Sequence, residues 1–126
     1  MTQPADENDR YERGLAILSQ IHGTTGEDIV FALGDLGRYV IEFAFGDIYN
    51  REGLALRERQ MLTIAILTAL GGREPQLRVH IKSGLNIGLT ADEIREAILH
   101  TIPYAGFPTA INAMNLLNSV VSEIQE

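Results

Sequence analysis

The chain has 126 residues, no cysteine, no tryptophan, and seventeen acidic against ten basic side chains, a formal charge of −7. Its length suits one domain with its own core. The missing cysteines exclude disulfide scaffolds, thiolate zinc sites, iron–sulfur ligation and any cysteine nucleophile or redox pair. The acidic balance argues against nucleic-acid and anionic-membrane partners. No apolar run reaches the roughly 18–20 residues of a bilayer span or follows a basic start. The expectation is a soluble, cytoplasmic, single-domain protein.

Residues 1–10 are polar and acidic and read as a frayed tail, with the folded domain over 11–126. A first helix spans Tyr11–Ile21, repeating Leu15, Leu18 and Ile21 before the stop His22-Gly-Thr-Thr-Gly. A second runs from Asp28 to about Phe45. Its interior glycines, Gly34 and Gly37, each cost about 1 kcal/mol against alanine, which points to another helix approaching closely. A loop at Asn50–Gly53 leads to a third helix over Leu56–Leu70, closed by Gly71-Gly72.

From Met61 onward that third helix is apolar almost all round (MLTIAILTAL), as expected of a helix buried on most faces. So short a chain has too few other helices to cover it, which predicts a subunit interface. A fourth helix covers Gln76–Asn86. Thr90 and Glu93 form a capping-box signature for a fifth, carrying Ile94, Ala97, Ile98 and Ile102, with a kink or stop at Pro103. The last starts near Pro108 and carries Ile111, Met114, Leu117, Val121 and Ile124. No stretch alternates as a strand does, so the class is all-α with about six helices.

Charged residues on apolar faces are the candidates for chemistry. Glu58 shares a helical stripe with Met61, Leu62, Ala65 and Ala69; alternatively, it is a first-turn carboxylate favoured by the helix dipole. His80 shares a face with Leu77, Ile81 and Gly84, while Arg78 and Lys82 point away. It is either a satisfied core histidine or a proton-transfer group. A carboxylate bonded to one ring nitrogen would orient it. Glu42 sits among apolar neighbours near a helix end, where the dipole disfavours a carboxylate, so another cause or simple exposure must account for it.

Glu93, Glu96 and His100 read as one solvated face. Tyr104 offers a phenol to a pocket or packs at a helix junction. His22 reads as a helix-end residue. Three dispersed histidines without i, i+3 or i+4 pairing give no metal site. There is no phosphate loop, no dinucleotide fingerprint, no H-E-x-x-H and no G-x-S-x-G. The expectation is metal-free proton transfer.

The segments Glu42–Tyr49, Leu56–Ala65, Ala69–Gly72, Leu77–Gly88, Thr90–Glu96 and Tyr104–Ala110, with Tyr11–Leu15, resemble the carboxymuconolactone decarboxylase family of the alkylhydroperoxidase-like superfamily. The resemblance covers about nine-tenths of the chain, in order. It implies an alkylhydroperoxidase-like helical bundle assembling as trimers or hexamers, with no cofactor. The implied activity is loss of CO2 from a small lactone of the 4-carboxymuconolactone type in aromatic breakdown.

In the peroxidase branch a glutamate, a Cys-x-x-Cys pair and a histidine form a proton relay. Glu58 and His80 fall on its ends, while the segment between reads Gly72-Arg-Glu-Pro-Gln-Leu without either cysteine. Cysteine-dependent peroxidase chemistry is thereby excluded. On this reading His80, oriented by Glu58, handles the proton or the oxyanion. Arg57 or Arg78 anchors a substrate carboxylate, Arg78 only across a subunit interface. The alternatives are another metal-free proton-transfer or hydrolytic enzyme on a small organic acid, and a non-catalytic oligomeric binding protein.

Overall fold

The structure, a computed structural model, describes residues 7–125, and among these it is all-α. Most of the expected tail over residues 1–10 lies outside the described residues; from Glu7 the chain is helical. The chain divides after Leu56 into two compact units.

The first unit contains α1 (Glu7–Phe31), α2 (Asp35–Tyr39) and a π-helix, Val40–Tyr49, that follows α2 without a break. The expected stop at His22-Gly23 is a kink: Gly23 leaves helical geometry at φ 68°, and α1 resumes through Phe31. The expected helix over 28–45 is instead broken at Gly34, whose φ of 63° only glycine adopts without strain. Gly34 is therefore a turn residue between two helices, whereas Gly37 does mark a close approach. A Cβ there would lie 2.0 Å from the Val30 carbonyl oxygen. Apolar continuity concealed the break, because Ile29, Phe31, Leu33, Leu36 and Phe43 are all exposed. The unit's core is Leu18, Ile21, Val30, Ile41 and Phe45.

Glu42 finds its reason in this unit. Arg10 and Arg38 approach it at 3.7 and 3.4 Å, and its side chain is only 13% exposed. Arg10 also donates to both Asp47 oxygens, at 3.1 and 2.6 Å, holding that carboxyl below its usual range.

His22, just before the kink, stacks edge-on against Phe45 at 5.6 Å, and burial lowers its pKa from 6.5 to about 4. Above pH 6.5 the ring is neutral whether the chain is folded or not, and stability is full. Between 6.5 and 4 the unfolded chain binds a proton that the folded chain refuses, so stability falls with pH, by roughly 3 kcal/mol when complete. Melting curves at pH 7.5 and 5 should show this loss, and His22→Gln should flatten it. Equal losses in both proteins would refute the assignment.

The second unit contains α3 (Leu56–Leu70), α4 (Glu74–Asn86), α5 (Ala91–Ala105) and α6 (Phe107–Gln125). Its core joins Ile64, Leu77, Ile81, Ile94, Ile98 and Leu117 with neighbours from all four helices. The expected capping box opens α5: Thr90 Oγ1 accepts from the Glu93 N–H, and Glu93 accepts from the Thr90 N–H, both at 3.0 Å. Pro103 does not stop α5, which runs on to Ala105 and ends at Gly106. Proline removes the hydrogen bond to the carbonyl four residues back; both Pro103 and that residue, Leu99, are exposed, so solvent can replace the bond. None of the described helices is long and apolar enough to cross a membrane.

Candidate active site

The candidate residues other than Glu42 all belong to the second unit, and α3 and α4 carry the central ones. Gln60, on the second turn of α3, is fully buried. Its amide nitrogen lies 2.8 Å from His80 Nδ1 and donates to the His80 carbonyl oxygen at 2.9 Å. A buried amide without partners costs about 1–3 kcal/mol; here α4 supplies two acceptors to the amide nitrogen, and that pulls Gln60 inward. His80 itself is half-buried.

The face of α3 buried within the chain is a different one from the stripe that carries Glu58. The buried stripe is Gln60, Ile64 and Thr68, not Glu58, Met61, Leu62, Ala65 and Ala69. Glu58 is exposed, as is Ala69, and Leu62 is 50% exposed. A helix apolar on almost every side has no clear hydrophobic direction, so periodicity could not choose its buried face. Gln60 was missed for the same reason, although its i, i+4, i+8 spacing with Ile64 and Thr68 was open to view. With Nδ1 held by Gln60, a carboxylate orienting the ring, Glu58 included, must meet it at Nε2.

The two candidate arginines, Arg57 and Arg78, are each engaged with a carboxylate. Arg57 pairs with Glu93 and, as the main cause, holds that carboxyl below its usual range, helped by the Thr90 backbone N–H. Arg57 thus ties the start of α3 to the start of α5. Arg78 turns toward α6, donating to Ser119 Oγ at 3.2 Å and pairing with Glu123, which Lys82 also approaches at 3.3 Å. That direction agrees with the helix spacing, which turned Arg78 away from His80.

Tyr104 is 82% exposed, its ring 5.9 Å from His100, so it lies on the surface of the chain rather than packed at the junction. Between α3 and α5 runs an open groove of about 550 Å³, with Met61, Leu62, Ala65 and Ala97 as its apolar part and Glu96 and His100 among its polar residues. His80 lines neither this groove nor the cavity of about 420 Å³ bounded by Lys82, Leu85 and Val121. Among the described residues no group of three histidine, aspartate or glutamate side chains is arranged to hold a metal ion.

The described chain is all-α, has no thiol, and holds the His80 imidazole through a buried amide. The family model of the carboxymuconolactone decarboxylase family matches residues 34–119. Over 124 residues the chain is 34% identical to the 4-carboxymuconolactone decarboxylase of Acinetobacter baylyi, covering 94% of this chain and 92% of that protein. It is 38% identical over 88 residues to an uncharacterized 15.0 kDa protein of Paracoccus denitrificans, covering 69% of this chain and 66% of that one. It is 32% identical over 87 residues to the nitrosuccinic acid decarboxylase npaB of Metarhizium robertsii, covering 68% and 59%. The chain belongs to the carboxymuconolactone decarboxylase family and is a carboxy-lyase.

Proposed function

We propose that this carboxy-lyase removes CO2 from a small carboxylated lactone of the 4-carboxymuconolactone type, in the cytoplasm and within aromatic-compound breakdown, using acid–base catalysis and no cofactor. The observation that carries the reading is the imidazole of His80, held by a buried amide. It stands in a chain similar over 94% of its length to a 4-carboxymuconolactone decarboxylase. The names of the two decarboxylase relatives share a chemical feature. Each substrate carries a carboxylate whose departing electron pair can enter a neighbouring acceptor, a conjugated lactone carbonyl in one and a nitro group in the other. Such a substrate contains its own electron sink, so the protein needs to supply only binding, orientation and electrostatics.

In this mechanism the bond to the leaving carboxylate breaks and its electron pair spreads to the oxygen of the lactone carbonyl. CO2 departs, and carbon takes a proton in its place. His80 supports the charge or the proton, Glu58 approaches from the Nε2 side, and Glu42 stays with its arginines as a further candidate carboxylate. Arg57 anchors a second substrate carboxylate by exchanging it for Glu93, with Tyr104 and Arg78 contributing across a subunit boundary. A homo-oligomer, trimer or hexamer, accounts for the apolar side chains left exposed, among them Leu62, Ile66, Leu70, Phe107 and Ile111.

The purified protein, given 4-carboxymuconolactone, should release CO2 and change the ultraviolet absorbance as the enol-lactone forms. Release from nitrosuccinate with none from the lactone would replace the substrate class and keep the decarboxylation. Inertness toward both would overturn the proposal.

A further inference from the structure

We propose that Gln60 is a positioning residue that locks His80 in the tautomer carrying its proton on Nε2, making the ring a hydrogen-bond donor to the oxyanion that develops on the substrate. The catalytic half of this rests on the role given to His80 above; the tautomer does not.

An amide nitrogen has two hydrogens and no useful lone pair. That of Gln60 stands 2.8 Å from Nδ1 and 2.9 Å from the His80 carbonyl oxygen. Were the amide turned over, its oxygen would face the carbonyl oxygen, two acceptors with no proton between them, so the hydrogen-bond pattern assigns the nitrogen. One hydrogen goes to the carbonyl and the other to Nδ1, which must offer its lone pair. A neutral imidazole with Nδ1 accepting has its proton on Nε2. Gln60 is 0% exposed, so water does not compete for these hydrogens, and a low local dielectric strengthens both bonds. Anchoring to backbone and ring together also fixes the rotation of the imidazole, because one amide cannot hold both acceptors unless the ring lies in its plane of reach.

A ring held in this state can stabilise an oxyanion without surrendering its proton, as a preorganised donor does. The carbon–carboxylate bond breaks, the electron pair moves through the conjugated system to the carbonyl oxygen, and CO2 leaves. Water then supplies the proton to carbon, and His80 keeps its own throughout. Glutamine matters here because glutamate at the same place would accept from the ring and draw a proton onto Nδ1.

The test is nitrogen-15 NMR of histidine-labelled full-length protein, with turnover of 4-carboxymuconolactone measured beside it. In the unaltered protein near neutral pH, His80 Nδ1 should give the signal of a bare ring nitrogen and Nε2 that of a protonated one. Gln60→Glu should place a proton on Nδ1. Gln60→Leu should abolish the lock and lower kcat by roughly 10–100-fold, the range found when outer hydrogen bonds orienting metal-bound imidazoles are removed, with KM nearly unchanged. A proton on Nδ1 of the unaltered protein overturns the proposal, and that measurement needs no variant to fold. Unchanged turnover and an unchanged His80 spectrum in Gln60→Leu would overturn it as well. If His80 itself proves dispensable for turnover while the tautomer stands, the catalytic reading fails and the Gln60 lock is upheld.

Discussion

Replacing His80 by alanine should lower turnover of the true substrate by roughly 10²–10⁴-fold, the usual contribution of one positioned acid–base group. Loss of a single oxyanion donor falls in the same range, about 10²–10³-fold, so the size of the effect does not depend on which of the two services the ring performs. The substitution also removes one acceptor from the buried amide of Gln60, while the backbone oxygen of residue 80 stays in place. That loss costs about 1–3 kcal/mol and should appear as a lower melting temperature rather than as unfolding. His80→Asn offers the amide an acceptor and separates the two effects: stability should recover while turnover stays low. Full activity in His80→Ala would remove the histidine from the mechanism.

Gly37→Ala should be among the most damaging single-methyl changes in the first unit, beside Gly14→Ala, whose Cβ would stand 1.8 Å from the Ile41 carbonyl oxygen. The Cβ added at Gly37 would stand 2.0 Å from the Val30 carbonyl oxygen and 3.3 Å from Val30 Cγ1. The obstacle is mainly backbone, which cannot rotate aside as a side-chain tip can. That carbonyl also accepts the Leu33 N–H at 3.0 Å, the bond that folds the turn between α1 and α2. Overpacking costs typically 1–3 kcal/mol and a lost turn hydrogen bond about 1 kcal/mol, together about 3 kcal/mol. For a chain of this size the melting temperature should drop by roughly 10 °C. A melt within two or three degrees of the unaltered protein would mean that the turn yields freely.

These two residues also mark how far the sequence could be read. Gly37 was legible because a helix-interior glycine has a known cost and therefore invites a steric explanation. Gly34 looked the same and is different: it ends one helix and begins the next with a positive φ, a conformation no one-dimensional pattern displays. His80 was legible as a polar residue on an apolar face. Gln60, its partner, was hidden because it lies among charged residues at the start of α3 and resembles the polar rim of an amphipathic helix.

Local signals thus determined what depends on near neighbours in the chain. They gave the all-α class, the span of α3, the capping box of α5, the absence of thiol chemistry and the surplus of apolar surface on the third helix. The tertiary structure decided what depends on distant partners. It turned Gln60 inward because α4 supplies two acceptors twenty residues away. It directed Arg57 to Glu93 and Arg78 to α6, and it let a helix pass through Pro103. The physical reason is the same in each case. Helix propensity and capping act within a few residues, whereas the buried face of a helix that is apolar on almost every side is set by packing against partners from elsewhere in the fold, the two acceptors of Gln60 among them.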